Sequence, residues 1–370
     1  MWPITFAGFV LSLITTNVLC EIPLDLRKDF FNIYKGVAVQ TKEVTKSHVT
    51  RDQVIFHAYR NEPEPKSIVL NDTNLDLLKG TKGHVIFITH GWTDTAYSEW
   101  VLSLKDAFLK TYPNDVVIGV DWKEPANQLY YVSSINVFDI GNLIADMIVK
   151  LVDEDKLTMP QFILVGHSLG GQISGFAGKR LKKLGKTLHR IVALDPAGPL
   201  FDVRPDDKRL NPTDAEVVHV IHSDGGSFGF KDACGTIDFF PNGGDFQPGC
   251  TRVDILDIST VKDPVVCDHE RSYRYFIEAV QNPVDYLVAK ECSEWSYLRK
   301  ICNETSTVSM GDLTTTKTGK YYLETNRERP YNKNTDKAST GLLDRVSKAS
   351  KSFGDNVSSS WNSFAKKIHV

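Results

Sequence analysis

The chain has 370 residues, of which 41% are apolar and 24% are charged, and its formal net charge is −3. This composition is typical of a soluble globular protein that can bury a full hydrophobic core. A slightly acidic chain has no general attraction for phosphate backbones, so we expect no nucleic-acid partner.

The amino terminus has the pattern of a secretory signal peptide. Residues 4–19 are mostly apolar but too few to span a membrane, and no second long apolar run follows. No Lys or Arg precedes this run, which is unusual for a signal. We expect cleavage after Cys20 and a secreted, extracellular protein. Asn71, Asn303 and Asn356 begin Asn-X-Ser/Thr triplets and are predicted glycosylation sites.

Apolar runs alternate with helical patterns through the centre of the chain. The predicted strands are residues 85–88, 116–120, 162–165, 191–194, 217–221 and 320–323. The predicted helices are residues 100–110, 137–152, 171–182 and 273–280. Buried strands that alternate with helices indicate an α/β fold with a mostly parallel sheet covered on both faces. In such folds the catalytic groups lie at the carboxyl ends of the strands.

A G-x-S-x-G motif occupies residues 166–170, between the predicted strand 162–165 and the predicted helix 171–182. A serine at the apex of a strand-turn-helix unit is typical of a hydrolase nucleophile, because the tight turn holds its hydroxyl out toward a substrate carbonyl. The flanking glycines suit a turn in which a Cβ would collide with neighbouring chain. We therefore predict that Ser168 is a nucleophile.

A serine nucleophile needs a general base and a carboxylate that orients the base, and in this fold class the chain order is Ser, acid, His. Asp195 directly follows the strand 191–194 and is the predicted acid; the alternative is that it only shapes the turn. The histidines that follow Asp195 are His219, His222, His269 and His369. His269 is favoured because it lies just before a predicted helix and beside Cys267, and His222 is the main alternative.

The negative oxygen of a tetrahedral intermediate also needs N–H donors. The backbone amide of Leu169, directly after Ser168, is one expected donor. The other is expected in the loop after strand 85–88, where the amide of Trp92 in the His-Gly-Trp segment is suitably placed. The alternative is a tight loop with a buried Trp.

Together these motifs resemble those of the pancreatic lipase family. They are residues 89–92, 166–171, 194–199, 238–244 with 247–250, and 267–272, and the resemblance covers about residue 35 to about residue 332. It implies an α/β-hydrolase fold, a triad of Ser168, Asp195 and His269, and no cofactor. It also implies that the amides of Trp92 and Leu169 form the oxyanion hole.

The resemblance further implies how most of the cysteines pair. Cys250 and Cys267 match the family's disulfide at the base of a lid, and Cys292 and Cys302 match a second pair. Cys234 has no obvious partner. We expect Cys234 to be free, to pair between chains, or to bond Cys20 if processing retains that residue.

The predicted lid contains only sixteen residues, and the loop at residues 223–236 is also short. In this family, shortening of both segments is typical of phospholipase A1 members. The resemblance therefore implies a phospholipase A1, which hydrolyses phospholipid acyl esters, or a broad insect-type lipase. The alternatives are a triacylglycerol lipase and, less favoured, a non-catalytic lipid carrier of the insect yolk-protein type. In those carriers the serine is lost, whereas it is intact here.

Two features depart from the family pattern. Pancreatic lipases have a β-sandwich after the catalytic domain, whereas only 38 residues follow Asn332. We expect a signal peptide at residues 1–20, a hydrolase domain at 21–332 and a tail at 333–370. Residues 209–214 match the family's calcium loop, but Asn211 replaces a carboxylate, so we expect no bound metal.

The tail is basic, since seven Lys or Arg and three Asp from Asn332 onward give it a net charge of +4. Its large apolar residues recur at helical spacing, at Leu342, Val346, Phe353, Val357, Trp361, Phe364 and Ile368. This pattern predicts an amphipathic helix that contacts a lipid interface. The alternatives are a helix packed on the protein body and a disordered tail.

Overall fold

A single 11-stranded sheet runs through the described part of the chain, which in this computed structural model comprises residues 49–62, 67–154, 156–250 and 266–333. The strand order is β10-β9-β11-β8-β7-β6-β5-β3-β4-β1-β2. The strands are β1 (Ile55–Tyr59), β2 (Ile68–Leu70), β3 (Val85–Thr89), β4 (Val116–Asp121), β5 (Phe162–His167), β6 (Arg190–Leu194), β7 (Val217–Ile221), β8 (Ile237–Pro241), β9 (Val288–Glu291), β10 (Thr307–Ser309) and β11 (Gly319–Leu323). The α-helices are α1 (Glu99–Thr111), α2 (Lys123–Ala126), α3 (Tyr130–Asp153), α4 (Leu169–Lys183), α5 (Cys267–Gln281) and α6 (Glu294–Leu298).

The central strands pair in parallel from β4 through β3, β5, β6, β7 and β8 to β11. Antiparallel pairs occur only toward the ends of the described sheet, between β1 and its neighbours and between β9 and its neighbours. The parallel strands are buried on both faces, which explains why they read as continuous apolar runs in the sequence. These features are those of an α/β-hydrolase fold, as the sequence predicts.

Helices cover both faces of the sheet. Along β3, Phe87 belongs to the core shared with α3 and α4, whereas Ile86 and Ile88 belong to the core shared with α1 and α5. This alternation follows from the two-residue period of side chains along a strand. The residues at the carboxyl ends of the parallel strands therefore lie at one edge of the sheet, between the two helix layers.

Several boundaries differ from the sequence prediction. The helix predicted at 137–152 begins at Tyr130, and the one predicted at 273–280 begins at Cys267. His269 therefore lies within the first turn of α5 instead of before the helix. The predicted signal peptide, the residues 251–265 of the predicted lid, Asn356 and the tail beyond Lys333 lie outside the described residues. The predicted domain boundaries stay a prediction.

The crossing of α3 and α4 depends on a glycine at their contact. A Cβ added to Gly141 would lie 2.7 Å from the Cβ of Phe176 and 2.8 Å from the carbonyl oxygen of Ile173. These distances are shorter than any normal carbon contact, so the two helices approach closely only because position 141 has no side chain.

We expect Gly141→Ala to destabilise the protein by about 1–3 kcal/mol, because overpacking outweighs the gain of about 1 kcal/mol in helix propensity. Urea unfolding followed by circular dichroism measures the effect. Asn142→Ala, at the next and only partly buried position of α3, is the control and should not destabilise. Higher stability of Gly141→Ala would show that the helices do not depend on this contact.

Candidate functional site

Ser168 lies at a sharp turn between β5 and α4, with φ 57° and ψ −121°. Such a positive φ is strained for a residue with a side chain. The turn requires its flanking glycines: a Cβ on Gly166 would lie 2.1 Å from the carbonyl oxygen of Gly170, and one on Gly170 would lie 2.1 Å from that of Thr89. The backbone thus places Ser168 at the carboxyl end of β5, half-buried, as the elbow motif predicts.

Asp195 leaves the neighbouring strand at the same level as Ser168. The Ser168 amide donates to the Leu194 carbonyl at 3.1 Å, and Asp195 is fully buried directly after that residue. Its Oδ1 accepts hydrogen bonds from the amides of Ser223 (2.8 Å) and Asp224 (3.1 Å), which follow β7. These bonds satisfy a carboxylate that would otherwise be costly to bury.

The second oxygen of Asp195 binds the imidazole of His269. Asp195 Oδ2 and His269 Nδ1 are 2.5 Å apart, and both side chains are buried. A carboxylate only accepts hydrogen bonds, so Nδ1 carries the proton and Nε2 of a neutral His269 has its lone pair available. This is the tautomer that a general base for a serine hydroxyl requires.

His167, the residue before Ser168, contacts His269. Its Nε2 donates to the backbone carbonyl of His269 at 3.2 Å, and the two rings lie 4.5 Å apart. Burial and the charge of His269 hold the pKa of His167 well below its ordinary value, so His167 is neutral. Among the hydrogen bonds of the described residues, none joins Ser168 Oγ to His269. Hydrogen bonds of this kind tighten when substrate binds.

The predicted oxyanion donors flank the nucleophile. The Leu169 amide is the first N–H of α4 and belongs to the group that a helix leaves without an intrahelical acceptor. On the other side, a Cβ on Gly91 would lie 2.9 Å from Ser168 Cβ, so the loop that carries Trp92 abuts the serine.

His90 holds that loop, a role that its sequence position alone does not reveal. Its Nδ1 donates to the Gly91 carbonyl at 2.9 Å, and its Nε2 accepts from the Trp122 amide at 3.1 Å. The carbonyl of Gly91 and the N–H of Trp92 belong to one trans peptide unit and point in opposite directions. The bond to the carbonyl therefore fixes the direction of the Trp92 N–H.

His222, the alternative base, is bound elsewhere. Its Nε2 contacts Asp238 Oδ1 at 2.9 Å, and its Nδ1 contacts the Phe230 carbonyl at 2.9 Å. Both partners are acceptors, so both ring nitrogens donate and the ring is an imidazolium. Burial alone would lower the pKa of His222, but the hydrogen bond and charge of Asp238 outweigh it and raise the pKa. His222 thus has no lone pair for a proton from serine.

The same carboxylate organises the loop after β7. Asp238 Oδ1 also accepts from the amides of Cys234 and Gly235, at 2.9 and 3.1 Å. Potential ligand atoms of His222, Cys234 and Asp238 lie within 4.8 Å of one another. The nitrogens of His222 are both occupied, however, and burial raises the pKa of the Cys234 thiol well above its ordinary value. The cluster is therefore suited to a hydrogen-bond network and not to a metal.

The disulfides in the structure are Cys250–Cys267 and Cys292–Cys302, the two pairs that the resemblance implies. Among the cysteines of the described residues, Cys234 is buried and free, whereas Cys20, one of its expected partners, lies outside them. Asn71 and Asn303 are exposed, which is compatible with the predicted glycosylation.

The residues at the position of the family's calcium loop do not fit a calcium ion. Both carboxylate oxygens of Asp214 accept from Lys179 Nζ at 2.6 Å. The amide oxygen of Asn211 accepts from the backbone and hydroxyl of Thr213, each at 2.8 Å. An ion would have to displace an ammonium group from Asp214, the one carboxylate that residues 209–214 supply.

We expect Asp238→Asn to destabilise the protein by about 3 kcal/mol at pH 6, because the charge of His222 loses its buried partner. The raised pKa of His222 means that the contribution of the pair is complete below the ordinary value of 6.5 and declines as the pH rises through the folded-state pKa. Urea unfolding at pH 6 and pH 9 should therefore give a smaller deficit at pH 9. Asp232→Asn, at an exposed neighbouring position, is the control; a deficit independent of pH would argue against a charged His222.

Comparisons with known proteins identify the family of this chain. The model of the family described as Lipase matches residues 31–331. A putative endothelial lipase of Crotalus adamanteus is 31% identical over 280 residues, which are 71% of this chain and 55% of that protein. The inactive pancreatic lipase-related protein 1 of Mus musculus is 38% identical over 223 residues, or 56% of this chain and 46% of that protein. The chain thus spans about half the length of these relatives.

A solved structure of a hyperthermophilic esterase from the archaeon Pyrobaculum calidifontis is 12% identical, with a TM-score of 0.28, and the match covers 60% of this chain and 79% of that chain. Among the described helices, none joins the length and the apolar character that a bilayer-spanning segment requires. On the strength of the family match over residues 31–331, this chain belongs to the pancreatic lipase family.

Proposed function

We propose that this protein is a serine hydrolase that cleaves carboxylic esters of lipids, with Ser168, Asp195 and His269 as its triad. The observation that carries the proposal is the 2.5 Å contact of a buried Asp195 with Nδ1 of His269, beside a serine at a strained strand-to-helix turn. Family membership alone does not suffice, because one of the relatives is named as inactive.

In the proposed reaction, His269 Nε2 takes the proton of Ser168 Oγ while the oxygen attacks the ester carbonyl. Asp195 stabilises the imidazolium through Nδ1 and keeps the ring in the required tautomer. The amides of Trp92 and Leu169 donate to the carbonyl oxygen as it becomes an oxyanion.

Collapse of the tetrahedral intermediate then breaks the ester bond. The imidazolium of His269 gives its proton to the leaving alcohol or lysolipid, and the acyl chain remains on Ser168. Water, deprotonated by the same imidazole, attacks the acyl-enzyme and releases a fatty acid. The imidazolium then returns its proton to Ser168 Oγ, which restores the starting enzyme. Apart from the water, these steps use side chains and backbone amides of this chain.

Within this reaction class, we favour phospholipase A1-type substrates. The loop after β7 is compact, since it folds back at Gly226, whose amide donates to the Gly229 carbonyl at 3.0 Å. The predicted lid is also short. Short segments leave more room beside the serine for a polar head group. The apolar run at residues 4–19 and the two disulfides support a secreted, extracellular protein.

We expect Ser168→Ala to lower ester hydrolysis by at least about 10⁴-fold, because the nucleophile is lost. The variant should keep the circular dichroism spectrum of the wild type and should not react with a fluorophosphonate probe. Ser103→Ala on α1 is the matched control and should keep both activity and labelling. Residual hydrolysis at the wild-type rate would refute the assignment of Ser168. A wild-type protein that neither turns over esters nor takes the probe would favour the lipid-carrier alternative.

The preference for phospholipid over triacylglycerol is tested with phosphatidylcholine labelled separately in its two acyl chains, offered beside triolein. We expect release of the first-position chain and slow hydrolysis of triolein, because the short lid and loop leave the site open to a polar head group. Rapid triolein hydrolysis with intact phospholipid would instead establish the triacylglycerol lipase alternative. Ser168→Ala protein provides the background rate for both substrates.

A further inference from the structure

An exposed apolar surface lies on the loop that the Cys292–Cys302 disulfide closes, which we call the 292–302 loop. Trp295, Leu298 and Ile301 are 57%, 73% and 59% exposed, and the loop includes α6. Three large apolar side chains on one short, cross-linked loop form a surface that water solvates poorly.

Contacts on the inward-facing side of the loop keep Trp295, Leu298 and Ile301 on the protein surface. Tyr297 stacks on Tyr322 of β11 with ring centroids 4.8 Å apart. The hydroxyl of Ser293 caps α6 by accepting the Ser296 amide at 3.1 Å. Because the disulfide and the tyrosine stack fix the loop, Trp295 and its apolar neighbours cannot turn into the core without breaking these contacts.

Basic groups accompany the apolar surface. The guanidinium of Arg299 lies 4.1 Å from the centroid of the Trp295 ring, and Lys300 follows it. Glu294 is the loop's only acidic residue. A Trp with adjacent cations is the combination that suits the interface of an anionic membrane, where the ring enters the head-group region and the cations meet phosphate.

The loop also borders the catalytic edge of the sheet. A Cβ on Gly243, in the segment after β8, would lie 3.8 Å from Cε1 of Tyr297. The same segment continues to Gln247, whose amide donates to Asp268 at 2.7 Å, one residue before His269. Through Tyr297, the 292–302 loop thus contacts the same segment that binds the residue before His269.

We propose that the 292–302 loop docks the protein on anionic lipid surfaces and so presents the active site to its substrate. This inference rests on the proposed function, since docking is useful only if the ester is in a lipid aggregate. It is distinct from contact through the tail, because it involves residues of the folded body.

Charge favours an anionic lipid surface over the chain's own tail as the partner of the 292–302 loop. The described chain ends at Lys333, which bonds Glu324 at 2.7 Å, and Lys300 also interacts with that carboxylate. The tail therefore starts beside the 292–302 loop, but its net charge of +4 disfavours packing against Arg299 and Lys300. An anionic lipid surface attracts both.

The docking test uses the full chain with Ser168→Ala, so that hydrolysis does not alter the vesicles. We expect W295S/L298S/I301S to lower affinity for phosphatidylcholine–phosphatidylserine vesicles by about 10- to 100-fold, measured by co-sedimentation. R299Q/K300Q should weaken binding only when phosphatidylserine is present. Unchanged vesicle binding by the apolar triple variant would overturn the proposal.

The matched control is V69S/L77S/L184S, which changes three comparably exposed apolar residues away from the loop and should bind normally. All variants are compared in an Asn303→Gln background, so that a glycan beside the loop does not account for a difference.

A second set of assays, with Ser168 intact, separates docking from chemistry. The apolar triple variant should hydrolyse water-soluble p-nitrophenyl butyrate at the wild-type rate and lose hydrolysis of vesicle lipid. Loss of both activities would show a structural defect and count against docking. If the wild type cleaves neither substrate, the proposed function fails, while the vesicle-binding comparison still decides whether the loop docks.

Two further outcomes assign the loop to another occupant and overturn the proposal. In one, the protein sediments as a dimer that W295S/L298S/I301S converts to a monomer, so that a second copy covers the loop. In the other, the same substitutions make residues 334–370 more sensitive to protease without lipid, so that the tail covers it.

Discussion

The register of β5 against β6 places the two groups on which the site depends. His167 pairs with Leu194, and the hydrogen bond from the Ser168 amide to the Leu194 carbonyl continues the ladder by one step. Serine and aspartate therefore leave adjacent strands at one level, about 4.8 Å apart in the pairing direction. The buried carboxylate of Asp195 must be hydrogen-bonded. Its hydrogen-bond partners are the backbone amides after β7 and the imidazole of His269 on α5. The buried carboxylate of Asp195 therefore connects the end of β6 to the loop after β7 and to the start of α5.

The sequence predicts the centre of the sheet well because strands buried on both faces produce runs of apolar residues. It does not predict β1, β2, β9 and β10, which lie toward the ends of the described sheet. The strands β2, β9 and β10 have only three or four residues and mix exposed with buried positions, and β1 contains His57 and Tyr59 among its apolar residues. Their stability comes from pairing with strands that are distant in the chain, such as β1 with β4. The strand β8 is also not predicted, because the carboxylate of Asp238 and the ring of Pro241 interrupt its apolar residues.

Site residues with a local signature are predicted from the sequence, whereas those defined by contact are not. Ser168 follows from its glycines, and Asp195 from its place after a strand. Local pattern favours His269 but leaves His222 as an alternative, because both are histidines near buried elements, and the family resemblance strengthens the choice of His269. The positioning roles of His90 and His167 cannot be predicted from the sequence, because each depends on a hydrogen bond to a backbone carbonyl.

The two buried His–Asp pairs show what separates an imidazole that can act as a general base from a structural one. In both pairs a carboxylate contacts one ring nitrogen, so the pairing alone does not distinguish them. The second nitrogen of His222 faces the Phe230 carbonyl, so the protonated ring donates from both nitrogens and has no free lone pair. Within the described residues, Nε2 of His269 has no such acceptor. The proposed base is thus distinguished by a ring nitrogen that is left free to accept a proton. His222, held by Asp238 and the Phe230 carbonyl, instead stabilises the loop whose amides bind Asp195.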